Sequence, residues 1–195
     1  KYHSNFKLSE GEVLCVSDTN STILDFKSIT NNRSFITEGR SPDGIGDWCY
    51  FNTGTPGNSN NQHCYDDINP NPIISLASGW YDSIQYMIIN SDSNTNVYYT
   101  VNGDVPDTND FLYTDTLWID STTVLSIRSF NNNNFLPSQV IDRTFFINEE
   151  NNNLPVFSII TDSLNLWDWD TGIYVMGPNA DTTQYPFFGA NFWQK

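Results

Sequence analysis

The sequence predicts an all-β chain: two small sandwich units, the first of them incomplete, and a short C-terminal stub. Three observations carry this expectation. Helix signals are almost absent, because Ala is scarce, Asn and Asp recur throughout, and no stretch keeps apolar residues at i, i+3, i+4 and i+7. Short β-branched and aromatic runs recur instead, separated by Asn, Asp, Gly and Pro at the spacing of a β-sandwich. The 195 residues suit one large or two small domains with enough material for a core.

The first zone covers residues 1–66. Strands are expected over 12–17, around the apolar run Val13-Leu14-Cys15-Val16, and over 23–29. Cys15 reads there as a small buried hydrophobe. A long glycine-rich loop follows, in which Asp43-Gly44 and Pro56-Gly57 supply turns and Trp48 buries as an anchor. Residues 67–72 form a stiff extended linker, since Pro70 and Pro72 each disfavour helix before them.

The second zone, 73–148, carries the clearest strands, expected over 84–90, 96–101, 116–120, 122–130 and 139–147. Alternation puts Leu125 and Ile127 on one face and Arg128 on the other. Asn102-Gly103 directly follows an alternating strand and reads as a tight hairpin, because both residues tolerate positive φ. The third zone, 149–195, opens with a polar run. Then comes Leu154-Pro155-Val156-Phe157-Ser158-Ile159-Ile160, which reads as a buried strand. The Asn runs at 131–134 and 151–153 are turns or loops.

Charge narrows the function classes. Eight Lys and Arg stand against 23 Asp and Glu, for a net charge of -15. No Lys or Arg occurs from Ser41 to Ile127, a span with eleven aspartates. Such a surface repels a phosphate backbone and an anionic membrane, so neither nucleic acid nor a lipid surface is an expected partner. Solubility accounts for the acid excess, and calcium or a cationic partner also fits it. No apolar run approaches the ~20 residues of a membrane span. No secretory leader opens the sequence, so either the protein stays inside the cell or a leader lies outside this stretch. Cys49 and Cys64 can pair across a turn-rich loop or remain buried thiols, and an odd cysteine is left over in either case.

The stretch Asn165-Leu166-Trp167-Asp168-Trp169-Asp170-Thr171-Gly172 has the look of a site. A calcium loop of the EF-hand kind needs Gly at its sixth position and Glu at its twelfth. Counted from Asp168, those positions hold Ile173 and Asn179, so the match fails. Asp168 and Asp170 are neighbours on one loop, whereas two carboxylates flanking a scissile bond come from separate elements. No catalytic residue is therefore assigned. Trp80, Tyr81, Trp118, Trp167 and Trp169 are candidate ligand-binding residues, because a planar ring stacks on a sugar while nearby amides and carboxylates bond its hydroxyls; filling the core is the competing use. Asp104, Asp107 and Asp110 are the candidate metal residues, with calcium the only cofactor considered and none required.

Three runs resemble known families. Tyr98-Tyr99-Thr100-Val101-Asn102-Gly103, Pro106, Tyr113 and the strand 122–130 resemble the chitobiase/β-hexosaminidase C-terminal module, with Asn102 in place of the usual Asp. That resemblance implies an immunoglobulin-like sandwich attached to enzymes, with no catalytic residues of its own. Arg40-Ser41-Pro42-Asp43-Gly44 with Trp48, Thr55-Pro56-Gly57 with Asn60, and the earlier Asp25 resemble the second half of a lamin tail domain. No strands matching the family's first half precede them, so residues 1–66 are expected to be a partial domain with a sticky edge. Leu154-Pro155-Val156, Thr161-Asp162, Asn165-Leu166-Trp167-Asp168, Thr171-Gly172-Ile173-Tyr174-Val175 and Gly177 resemble the start of the CotH family, kinase-like proteins of spore coats.

Together these resemblances imply a non-catalytic accessory fragment of a larger exported bacterial protein. Its role would be spacing, presentation or recognition, and its partner a downstream CotH-like domain of the same polypeptide. The alternative is a module that binds a glycan or a surface protein. A kinase-like phosphotransferase is the third reading. It lacks a G-x-x-x-x-G-K-[ST] loop and has few cations to clamp a phosphoryl group.

Overall fold

The computed structural model describes residues 7–30, 36–131, 133–150, 154–183 and 189–193. The chain divides into two compact units, Lys1–Asp67 and Ile68–Lys195. It is all-β, with one short helix and one 3-10 turn.

The first unit contains two hairpins. Strands β1 (Val13–Ser17) and β2 (Ile23–Ser28) pair antiparallel with Val13 opposite Ser28. Strands β3 (Thr37–Ser41) and β4 (Asp47–Phe51) pair antiparallel with Arg40 opposite Trp48. The sequence places this second pair within a loop; the turn chemistry at 42–46 instead closes a hairpin. The N–H of Gly46 donates to Pro42 O at 2.8 Å, and a Cβ on Gly46 would lie 1.9 Å from Ser41 O. Cys49 and Cys64 form a disulfide, which settles the alternative left open above. Cys15 is free and exposed rather than buried. A two-stranded ribbon has no second layer to shelter it, and Val13, Val16, Leu24 and Phe26 are exposed beside it.

The second unit opens at the two-residue strand β5 (Asp67–Ile68). Then follow β6 (Ile73–Ile74), β7 (Gly79–Tyr81), β8 (Gln85–Met87), β9 (Ile89–Asn90) and β10 (Thr95–Thr100). Next are β11 (Phe111–Leu112), β12 (Leu117–Ile119), β13 (Thr123–Asn131), β14 (Phe135–Leu136) and β15 (Ile141–Ile147). One layer is a five-stranded sheet in the order β11-β10-β13-β15-β7. Its β15–β7 pair is parallel and the other pairs are antiparallel. The pairs β12–β8 and β6–β9 supply the opposing side chains. Met87, Ile89 and Ile119 meet Val97, Leu125, Ile127, Phe145 and Ile147 in one core. Burying each large side chain of that set stabilises the fold by about 1.5–3 kcal/mol.

Leu125 and Ile127 are buried, and Arg128 reaches out to give its Nε–H to Ser138 O at 2.9 Å. The run 84–90 is two strands rather than one. At Ile88 the backbone turns to Ser75, whose N–H donates to Ile88 O and whose Oγ accepts from Ile88 N. The chain thereby changes partner from β12 to β6. Asn102-Gly103 does not close a two-residue hairpin. Only Gly103 takes positive φ, and the chain runs on past a buried Pro106 before β11 returns to pair with β10.

The segment 154–160 is a correction to the expected buried strand. It forms no strand, and Phe157 and Ile159 are 88% and 80% exposed. It runs as an extended strap whose Ser158 Oγ meets Thr144 Oγ1 at 2.6 Å. Helix α1 (Ser163–Trp167) follows, capped by Asp162, whose Oδ1 accepts from Leu164 N. A 3-10 turn spans Asn191–Trp193. Among the described residues no helix is long and apolar enough to cross a membrane.

Candidate functional site

The largest cleft of the second unit, about 640 Å³, opens where the end of β10, strand β12 and the start of β13 converge. Its volume lies within the ~300–1,000 Å³ of small-ligand sites. Tyr99, Leu117, Ile119 and Leu125 line its apolar side, and Asn102, Thr122 and Thr123 its polar side. Ile159, Ile160 and Thr161 of the strap form one wall. Gly103 makes room there: a Cβ added to it would already reach within 3.8 Å of Ile160 Cγ2.

Trp118 lines this cleft and is 69% exposed. Its position on β12 causes this, since strand alternation sends Ile119 into the core and Trp118 the opposite way. Tyr86, directly opposite on β8, is exposed too, with ring centroids 6.0 Å apart and planes at 56°. The polar side chains are already engaged. Asn102 Nδ2 donates to Asp104 Oδ2 at 2.6 Å, Thr122 Oγ1 donates to Glu149 Oε1 at 2.7 Å, and Thr123 Oγ1 donates to Ser121 O at 2.8 Å.

The remaining candidate residues lie apart from Trp118. Trp80 stacks on Phe146 with centroids 4.3 Å apart, in a smaller hollow shared with Val156 and Ser158 of the strap. Tyr81 packs against the core and donates its hydroxyl to Ala77 O. Trp167 stacks on Tyr174 at 5.3 Å, and both are exposed, as is Trp169.

Asp104, Asp107 and Asp110 serve the 101–110 turn. Asp107 Oδ1 accepts from Asn109 N at 2.6 Å, and Asp110 Oδ2 accepts from Asp107 N at 2.7 Å. Among the described residues no group of three or more His, Cys, Asp and Glu side chains gathers where a metal ion could sit.

The Trp–Asp stretch is held together from within. Asp168 Oδ1 accepts from the N–H groups of Asp170 and Thr171 and from Thr171 Oγ1. These bonds, the Thr171 hydroxyl first, hold the Asp168 carboxyl below its ordinary range. Buried Asn191 donates its Nδ2 to Trp169 O and Gly172 O.

In the first unit, Trp48 is exposed rather than a buried anchor. Its ring lies beneath two cations, Lys27 at 5.1 Å and Arg40 at 4.9 Å. Arg40 grips both carboxylate oxygens of Asp25 and donates to Gly46 O, while Lys27 pairs with Glu38 at 2.6 Å. The Arg40 bond lowers the Asp25 carboxyl and raises the guanidinium. Asn60 clamps this hairpin by donating to Arg40 O.

Sequence reasoning found Trp118 but not the groups around it. Asn102 is assigned there only to a turn, and nothing in their types marks Thr122, Thr123 or the strap as parts of one cleft.

The family model of the chitobiase/β-hexosaminidase C-terminal domain matches residues 76–141, about a third of the chain. The match runs from just before β7 to the first residue of β15, so it includes Trp80, Trp118 and most of the cleft lining. The all-β, immunoglobulin-like character of this stretch agrees with it. No curated protein and no solved structure matches the chain.

Proposed function

We propose that this chain is a non-catalytic accessory stretch of a larger exported protein, in which the immunoglobulin-like unit spaces or presents a CotH-like domain of the same polypeptide. The family match to an accessory module of carbohydrate-processing enzymes, lying on the sandwich of the second unit, carries this reading. The lamin-tail-like and CotH-like runs support it, because the residues that define them serve local structure. Arg40, Asp25 and Asn60 brace one hairpin, and Asp168, Gly172 and Gly177 shape one turn. Domain boundaries at 1–66, 73–148 and 149–195 belong to the same proposal. The test is incubation with labelled ATP and a divalent ion. No transfer to the chain or to an acidic protein is expected, and catalytic transfer would overturn the accessory role.

A second reading is favoured by Trp118: a carbohydrate-binding module at the cell surface. A large ring held outward beside a cleft suits stacking on a sugar and does nothing for the core. A folded Trp118→Ala variant should lose glycan binding. Retained binding would move the site to Trp80, Trp167 or Trp169.

A further inference from the structure

We infer that the Trp118 cleft selects saccharides by their hydrogen-bond donors, accepting neutral or amine-bearing rings and rejecting acidic ones. This rests on the second reading above and adds the ligand's charge and polarity. The argument starts from where the protons of the rim point. Thr122 and Thr123 both spend their hydroxyl protons inside the protein, on Glu149 and Ser121. Thr122 Oγ1 also accepts from Ile147 N. What these hydroxyls retain for a ligand is lone pairs. Asn102 gives one Nδ2 proton to Asp104 and accepts from Asp104 N through Oδ1. Two of the three groups are thus tied to carboxylates, which add negative potential at the rim.

No lining residue is charged, and neither Lys nor Arg occurs between Ser41 and Ile127 to offset that potential. A phosphate, sulfate or uronate would meet acceptors and like charge, with no donor fork to receive it. A polyol supplies the protons the rim lacks, and an ammonium group supplies them with complementary charge. The exposed face of Trp118 offers a platform for the apolar face of a ring, and the strap at Ile159 and Ile160 gives the opposite wall.

The experiment is calorimetric titration of the whole chain with short β-linked oligomers of glucose, glucosamine and glucuronate. Glucose and glucosamine oligomers should bind and the glucuronate oligomer should not. Added salt should weaken only the glucosamine complex, because salt screens charge. Trp118→Ala, whose exposed ring leaves the core intact, should weaken binding by about tenfold or more. Trp167→Ala should leave it unchanged, and near-ultraviolet circular dichroism confirms folding of both variants. Glucuronate binding as tight as the neutral oligomer would overturn the donor rule while leaving a saccharide module standing. Binding lost in Trp167→Ala but kept in Trp118→Ala would overturn this cleft. Absence of binding by all three oligomers would overturn both inference and second reading, and the accessory role would still be judged by label transfer.

Discussion

Gly177 and Asn191 fit each other as a pair. Gly177 takes φ +76°, and a Cβ there would sit 2.2 Å from Asn191 Oδ1. Asn191 is buried and closes the Trp–Asp turn through Trp169 O and Gly172 O. Gly177→Ala should therefore loosen this turn by about 1–3 kcal/mol, since the conformation is strained for any side chain and the space is taken. Limited proteolysis of the 165–177 region checks it; unchanged resistance would refute the pairing. Asp168 gives a pH prediction. Its carboxyl is depressed in the folded chain, so its contribution is present above the ordinary value of 3.8 and is lost as pH falls through the lower folded value. The indole NMR signals of Trp167 and Trp169 should shift together below pH 3.8, and Asp168→Asn should abolish that step.

Strand β13 is the element on which the second unit depends. It pairs with β10 on one side and β15 on the other, and it buries Leu125 and Ile127. Leu125→Ala should cost about 2–5 kcal/mol in urea unfolding. Trp118→Ala, on the outward side of β12, should stay within about 0.5 kcal/mol. Equal losses would mean that Trp118 belongs to the core after all. β13 was legible because its alternation is uninterrupted, and β1, β2, β10, β12 and β15 were legible for the same reason. The pair β3–β4 was hidden because Gly39, Arg40 and Asp47 carry no strand preference. Gly39 is required instead by contact with Asn60, 2.6 Å from where its Cβ would lie, a relation across 21 positions that no local pattern contains. The strap failed in the opposite direction. Its apolar run has strand composition, yet its backbone finds no ladder to join. Of the cleft, Trp118 was visible as a residue type, whereas the direction of each hydroxyl proton exists only once Glu149 has come back to Thr122, 27 residues earlier.

The two units should respond separately to reduction. Cys49–Cys64 spans 15 positions inside the first unit, and removing such a cross-link typically costs about 3 kcal/mol. Dithiothreitol should lower the urea midpoint seen by Trp48 and leave that seen by Trp118 unchanged; a common fall would show that the two fold as one. The second unit carries a different kind of consequence in its parallel pair. Strand β7 comes early in the sandwich and β15 closes it, and they run side by side in the same direction, Gly79 opposite Phe145 and Ile147 opposite Tyr81. Tension drawn along the polypeptide pulls these neighbours in opposite senses along their shared axis. The load is then divided over all their hydrogen bonds at once, in shear, with the Trp80–Phe146 stack as a brake, rather than unzipping them one after another. A segment tied into its fold this way is suited to stay folded when its two ends are being pulled apart.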